Sequence, residues 1–262
     1  MRILVILRRV LDPAGIVAHR RLRRLFINRE EYIIQPADHG ALEAALRIKD
    51  ATAAEVVVAS GQSEPDDDTL RRGIAMGADR AIYLSGDAFK SADDAVAARA
   101  LQEVIERLGD VDLVLCGATT LDTGQAQLGL RLAEALGWPQ IVGAWSIEAD
   151  DGRVQGVRRD GVRYTLVETD LPAVVLMAAG ALKPRYPNGI RLINIYRDEG
   201  DVADALEQWD AADLLTPDEL SPLIASVGRD FPPERERGER VEGTNAEVAE
   251  TVAQALRQRM RG

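Results

Sequence analysis

Short apolar runs alternate along this chain with stretches in which apolar positions recur at helical spacing. Residues 2–7 form an apolar run with β-branched members, which predicts a buried strand. Pro13 and Gly15 interrupt it. Two apolar clusters, Leu25-Phe26-Ile27 and Tyr32-Ile33-Ile34, then predict a hairpin-like excursion between residues 16 and 34. Behind Gln35-Pro36-Ala37-Asp38 the apolar positions Leu42, Ala45, Leu46 and Ile48 predict a helix, with Asp38 as its expected cap. Residues 55–60 read as a second strand followed at once by Gly61. A helix then opens in the acidic run Asp66-Asp67-Asp68 and closes at Gly77. Residues 80–84 predict a third strand, and Ser91-Ala92-Asp93-Asp94 predicts a capped helix reaching about residue 108.

The stretch from Asp112 to Gly129 carries the chemistry. Residues 113–116 are a fourth apolar run, broken at Gly117 into small and hydroxylated residues, and an amphipathic pattern runs from near Gln125 to Leu136. In an open parallel sheet such a strand, loop and helix aim main-chain N–H groups and a positive helix end at one spot, which suits a phosphate. The loop has neither the lysine of a Walker A sequence nor the G-x-G-x-x-G spacing, so periodicity supports a nucleotide loop and an ordinary turn about equally. Thr119, Thr120 and Thr123 offer hydroxyl donors, and Gly117 and Gly124 let backbone approach a ligand.

Strand and helix alternate at intervals of about 25–30 residues, which predicts a doubly wound, mostly parallel α/β sheet covered on both faces. From Ser146 the pattern changes. Residues 154–157 and 164–168 flank glycine-containing turns and predict an antiparallel hairpin beside the parallel core, before a last buried strand at residues 172–177. Residues 181–195 read as an exposed Pro/Gly/Asn loop. Residues 198–239 are rich in Asp, Glu and Pro and bury little by themselves, and Thr244-Asn245-Ala246-Glu247 is a capping box for a terminal helix.

Composition narrows the function classes. The 262 residues are 46% hydrophobic and carry a net charge of −11, which excludes nucleic acid as the main partner. Eight arginines and one acid, Asp12, nevertheless fall in the first 29 residues. One cysteine, Cys116, and two histidines leave little for a disulfide or a metal site, and none is expected. Cys116 reads as a buried strand residue and His39 as a surface or capping residue. No apolar run approaches the roughly 18 residues of a membrane span, and no signal-peptide layout opens the sequence. A cytoplasmic location without direct membrane insertion is therefore expected.

Several short motifs, in order and spacing, resemble the beta (small) subunit of electron transfer flavoproteins. They are Arg8-Arg9-Val10-Leu11-Asp12, Gln35-Pro36-Ala37-Asp38, Leu42-Glu43-Ala44-Ala45-Leu46, Ala75-Met76-Gly77-Ala78-Asp79-Arg80, Leu136-Gly137-Trp138-Pro139-Gln140, Leu171-Pro172-Ala173-Val174-Val175 and Pro184-Arg185-Tyr186. The resemblance implies a Rossmann-like fold of the adenine-nucleotide-binding type over residues 1–195. It also implies a C-terminal arm and helix, residues 196–262, that dock on an alpha subunit carrying the redox-active FAD. Flavoprotein dehydrogenases and a quinone-linked oxidoreductase are the implied electron partners. The beta subunit itself holds AMP or a second FAD. By position, the residues implied to touch that nucleotide are Ile6, Arg9, Gln35, Pro36, Asp38, Gly61, Gly117, Ala118, Thr119, Thr120, Asp122, Thr123, Gly124, Gln125, Ala126, Gln127 and Gly129. Pro184, Arg185, Tyr186 and Ile190 are implied in partner docking, with Ile190 as an apolar anchor.

The loop departs from the family pattern. Asp122 keeps the first acid, whereas Gly124 stands where a second is usual, and Asp94 and Ala97 stand where bifurcating relatives carry threonines. An electron carrier without a catalytic residue is the leading expectation. The rivals are a bifurcating subunit whose own FAD oxidises NADH and a free-standing ATP-binding domain of the stress-protein type.

Overall fold

The structure is a computed structural model, and it describes residues 1–61, 67–90, 92–124, 127–150, 152–202, 204–224, 231–232, 238 and 240–260. In chain order the elements begin with β1 (Arg2–Ile6), β2 (Arg9–Leu11), β3 (Ile16–His19), β4 (Arg24–Ile27) and β5 (Tyr32–Ile34). Then come α1 (Pro36–Thr52), β6 (Glu55–Gly61), α2 (Asp68–Met76), β7 (Arg80–Ser85), α3 (Asp94–Leu108), β8 (Leu113–Gly117) and α4 (Leu128–Leu136). The rest are β9 (Gln140–Asp150), β10 (Arg153–Asp160), β11 (Arg163–Asp170), β12 (Ala173–Met177), α5 (Gly189–Arg197), β13 (Leu206–Asp210) and α6 (Asn245–Arg259).

Nine strands make one sheet in the order β11-β10-β9-β12-β8-β1-β6-β7-β13. Its centre is parallel, and β1 pairs with both β6 and β8. Because side chains alternate along a strand, β1 feeds two cores at once. Ile3, Val5 and Leu7 pack with Leu42, Leu46, Leu70 and Ile74 on the α1–α2 face. Leu4 and Ile6 pack with Leu101, Val104 and Leu132 on the α3–α4 face. That double burial is why the strand reads as an unbroken apolar run. The chain lays β6 and β7 on one side of β1, then crosses to start β8 on the other. The order of strands reverses there, and open α/β sheets bind ligands outside the carboxyl ends at such a reversal.

The doubly wound expectation holds, as does the β10–β11 hairpin; in the excursion over residues 16–34 the cluster 25–27 pairs as β4 with β3, whereas the cluster 32–34 pairs as β5 with β2. β3 pairs with β4, β10 pairs with β9 and β11, and all three pairings are antiparallel. Three further details differ from the sequence reading. The helix near Gln35 is capped by Gln35, whose Oε1 accepts from the Ala37 N–H at 2.8 Å, and not by Asp38. Residues 189–197, expected to be loop, form α5. The breakers Asn188 and Gly189 are its cap and first residue, and the Asn188 carboxamide accepts from the N–H groups of Ile190 and Arg191. The acidic stretch after Asp198 contributes β13, which pairs in parallel with β7 at the sheet edge, while Arg107 stacks over Trp209 at 4.5 Å.

The chain divides into two compact units, residues 1–226 and 227–262. Within the second, α6 begins with the expected capping box: Thr244 and Glu247 bond reciprocally at its first turn.

Candidate nucleotide site at the carboxyl edge of the sheet

The strand-order reversal is held by one buried ion pair. Arg8 leaves β1 and turns its guanidinium onto Asp38, with Nε 2.8 Å from Oδ2 and Nη2 2.7 Å from Oδ1. The same carboxylate accepts from the Arg8 main-chain N–H at 2.9 Å and the Gly117 N–H at 2.6 Å, and Arg8 Nη2 also donates to the Gly117 carbonyl. Asp38 is fully buried, and the Arg8 side chain is 18% exposed. Burial pulls the Arg8 guanidinium down, but Asp38 outweighs it and holds the pKa above the usual arginine range. The ends of β1 and β8 and the start of α1 are thereby tied together, which positions the loop that follows. Motif matching placed Arg9, not Arg8, at the nucleotide. Arg9 stacks on the ring of Tyr32 at 3.5 Å, and Arg8 is the residue inside the network.

Gly117 is a glycine for a different reason from ligand access. A Cβ there would stand 2.5 Å from the Ala37 Cβ and 2.7 Å from Asp38 Oδ1, so the close approach is to the first turn of α1. Gly129 is similar, because a Cβ would meet Cys116 Sγ at 2.6 Å as α4 packs against β8. Gly124 differs from both. Its φ of +69° favours glycine, and among the described residues nothing lies within 4 Å of an added Cβ.

Between these glycines the loop is built by its own polar groups. The Ala118 N–H donates to the Met177 carbonyl at 2.8 Å, and Gln35 Nε2 donates to the Thr119 carbonyl, so Gln35 joins α1 to the loop. The Thr120 and Thr123 hydroxyls lie 2.7 Å apart, Asp122 accepts from the Thr123 N–H, and the Gly124 N–H donates to the Thr120 carbonyl. Gln125 and Ala126 lie outside the described residues. Gln127 precedes α4 but its side chain accepts from Arg131 and does not cap the helix. Among the described residues no side chain caps the first turn of α4, which lies behind an exposed hydroxyl-bearing loop, a favourable place for an anion.

Beside the loop is a cavity of about 170 Å³, walled by Ile6 at the end of β1, Gly61 at the end of β6, Arg8, Phe89, Asp94 and Leu128. The Phe89 ring lies so close to Gly61 that a Cβ there would meet it at 2.8 Å. Asp93 caps α3 through Oδ1 and accepts from the N–H groups of Leu223 and Ile224 through Oδ2. Asp94 Oδ2, in contrast, is buried without a hydrogen-bond partner among the described residues. Two roomier clefts, of about 470 and 420 Å³, border Met1, Asp112 and Pro172 or Arg47, Asp150 and Gln155. The first lies at the amino ends of β1, β8 and β12, where helix carboxyl ends disfavour an anion, so the smaller cavity is the better candidate.

Cys116 and His39 are both held in packing contacts. Cys116 is fully buried, and burial pushes its thiol up to about 12, against the pull of Arg8. At pH 8 the folded chain should react with a thiol reagent far more slowly than the urea-unfolded chain. Comparable rates in the two states would contradict this burial. His39 is half-buried with Nε2 3.2 Å from Met76 Sδ, and burial, with Arg72, pulls its pKa down. Among the described residues no group of three or more His, Cys, Asp or Glu is placed to hold a metal ion. No helix among them is long and apolar enough to cross a membrane.

The residues implied in partner docking are split. Arg185 is engaged within the chain, donating to Glu43 and Asp50. Tyr186 is 86% exposed just beyond Pro184, and Ile190 is 72% exposed in the first turn of α5.

Residues 24–214 match the electron transfer flavoprotein domain. The chain is 34% identical to the electron transfer flavoprotein subunit beta of Thermoanaerobacterium thermosaccharolyticum, over 75% of each chain. It belongs to the electron transfer flavoprotein beta-subunit family. It is also 31% identical to the caffeyl-CoA reductase-Etf complex subunit CarD of Acetobacterium woodii, over 99% of each chain. A third relative, the acryloyl-CoA reductase electron transfer subunit gamma of Anaerotignum propionicum, is 30% identical over 99% of each chain. The matched segment includes α1, the loop after β8 and the cavity wall from Gly61 to Leu128, while Ile6, Leu7 and Arg8 precede it.

Proposed function

We propose that this chain is the beta subunit of a two-chain electron transfer flavoprotein. It holds an adenine nucleotide, AMP or a second FAD, at the carboxyl edge of its sheet and docks partner proteins. Electrons pass from flavoprotein dehydrogenases, through an FAD held mainly by the alpha subunit, to a quinone-linked or other acceptor. Residues 196–262 act as the arm that engages that alpha subunit. The observation that carries the reading is the coincidence, at one strand-order reversal, of the start of α4, the turn at Gly124 and the cavity beside Asp94.

These residues fit an adenine nucleotide. Thr119, Thr120, Thr123 and the start of α4 offer donors to its phosphate, and the cavity offers apolar walls with Asp94 Oδ2 as an acceptor that has no partner among the described residues. FAD, where bound, supplies the one- and two-electron chemistry. This chain's part is placement: Arg8, Asp38 and Gln35 fix the loop, and the exposed Tyr186 and Ile190 offer a contact surface to a partner.

A bifurcating role, with a beta-bound FAD that oxidises NADH, is the second reading. It draws on the end-to-end similarity to two relatives named as parts of reductase electron-transfer complexes.

Purifying the two-chain complex and counting acid-released nucleotides separates the readings. One FAD with one AMP supports the carrier, and two FAD with bleaching by NADH supports bifurcation. A monomer that retains only ATP would overturn both. Gly124→Val should remove the nucleotide of this subunit while leaving the cooperative unfolding transition of the sheet in place, because the turn lies outside the core. Unchanged nucleotide content in that variant would refute the assignment of the loop.

A further inference from the structure

The hairpin of β3 and β4 is a two-stranded sheet of its own, apart from the nine-stranded sheet, and every residue from 17 to 32 is exposed. Residues 16–27 hold seven apolar residues, four arginines and His19, with neither an acid nor an amide- or hydroxyl-bearing side chain among them. The register pairs Ile16 with Ile27 and Ala18 with Leu25, so one face of the ribbon is wholly apolar. Val17 and Phe26 share the other face with His19 and Arg24. Leu25 is 61% exposed, Ile27 55% and Leu22, in the turn, 58%.

A lone two-stranded hairpin is marginal in water, and exposed apolar side chains gathered in one place mark a surface that something covers. Charge and side-chain chemistry decide what that is. Arg29, at the foot of the hairpin, is held by Asp12 and Glu31, whereas among the described residues the side chains of Arg20, Arg21 and Arg24 form no ion pair. The hairpin is thus a basic projection on a chain whose net charge is −11. Its cover is therefore anionic. Protein interfaces fix their register through about one hydrogen bond per 100–200 Å². This ribbon offers guanidinium groups and hydrocarbon but, His19 apart, no neutral polar side chain for that purpose, and His19 Nδ1 accepts from the Leu22 N–H at 3.2 Å to close the turn. Arginines beside bare apolar groups suit the headgroup region of a bilayer, where the guanidinium reaches phosphate and the apolar group enters the acyl boundary.

We infer that residues 16–27 bind an anionic phospholipid surface. The face of Ile16, Ala18, Leu25 and Ile27 enters the boundary between headgroups and acyl chains with Leu22 beside it, and Arg20, Arg21 and Arg24 bind lipid phosphates. Arg24 lies on the opposite face of the ribbon, which turns it away from the acyl chains and toward the headgroups. The attachment is peripheral, because a strand of four residues is far shorter than the roughly 9–11 residues of a membrane-spanning strand. It is independent of the nucleotide reading, since no residue of this hairpin lines the cavity at the carboxyl edge.

The test sediments the two-chain complex with vesicles of phosphatidylcholine alone and of phosphatidylcholine mixed equally with phosphatidylglycerol. Binding should be confined to the anionic vesicles and should fall steeply between about 0.1 M and about 1 M salt, as the screening length shrinks from about 10 Å to about 3 Å. Arg20→Gln, Arg21→Gln and Arg24→Gln combined should weaken it about a hundredfold, at about fivefold per arginine. Leu25→Ser with Ile27→Ser leaves every charge in place and should still weaken it by about tenfold or more. Both variants should melt with the wild type, because the hairpin lies outside the nine-stranded sheet. Arg158→Gln with Arg163→Gln, exposed on β10 and β11, should leave binding unchanged. Wild-type complex that sediments with neither kind of vesicle overturns the inference, and so does equal binding to both. An equal loss from Arg158→Gln with Arg163→Gln would reduce the effect to diffuse charge attraction, and full binding by the serine variant would show that the apolar face does not enter lipid; either result overturns it as well.

Discussion

Asp38→Ala should destabilise residues 1–226 by about 3–5 kcal/mol, as expected when one partner of a buried ion pair is removed. The alanine takes from the Arg8 guanidinium the carboxylate it bonds through two nitrogens, and it strands the main-chain N–H groups of Arg8 and Gly117. Urea unfolding at neutral pH reads the effect as a lower midpoint with an unchanged slope. The double variant Asp38→Leu with Arg8→Met removes both charges and should recover part of the loss, since replacing a buried pair by apolar residues is often nearly neutral. It should not recover the nucleotide, because the link from β1 through α1 to the loop is gone. A shift below about 1 kcal/mol for Asp38→Ala would mean that the ion pair does not hold the site together.

Gly117→Ala should be nearly as damaging, although it adds a single methyl group. The new carbon would stand 2.5 Å from the Ala37 Cβ and 2.8 Å from the Ala37 carbonyl carbon, so main chain at the start of α1 has to move. Overpacking of this kind costs about 1–3 kcal/mol. For a unit of this size each kcal/mol corresponds to a drop of about 2–4 °C in melting temperature. The displaced α1 would carry Gln35 off the Thr119 carbonyl, so nucleotide content should fall together with stability. Gly124→Val should instead lose nucleotide with little change in melting. If the two glycine variants behaved alike, the division between a packing glycine and a ligand-facing one would be wrong.

That division also shows what could be read before the fold was known. Gly117, Gly124 and Gly129 look alike in a sequence, and all three were expected at a ligand. Their neighbours in space separate them. Gly117 meets Ala37 and Asp38, which are about 80 residues away; Gly129 meets Cys116 and Leu176; and Gly124 meets nothing among the described residues. Asp38 looked like a cap because it stands near a helix start after a proline. It is a buried bridge because Arg8 and Gly117 converge on it from two strand ends. The helix at residues 189–197 was missed because Asn188 and Gly189 break structure as often as they open it. α5 forms because α2 offers it a surface, with Ile195 fully buried. β13 was hidden for a related reason: its five residues become a strand only through the exposed edge of β7, more than 120 residues earlier.

The sequence by itself determined the alternation of strand and helix, the β10–β11 hairpin, the position of the loop after β8 and the family. These rest on local periodicity, turn chemistry and short motifs, which need no knowledge of distant neighbours. Tertiary structure alone decided that Arg8 is the cation at the strand-order reversal, and that among the described residues Asp94 Oδ2 has no hydrogen-bond partner and an added Cβ at Gly124 meets no atom. Each of those depends on which strand ends lie side by side. That adjacency is fixed by burial of both faces of β1 and is invisible in any window of the chain short enough to be read alone.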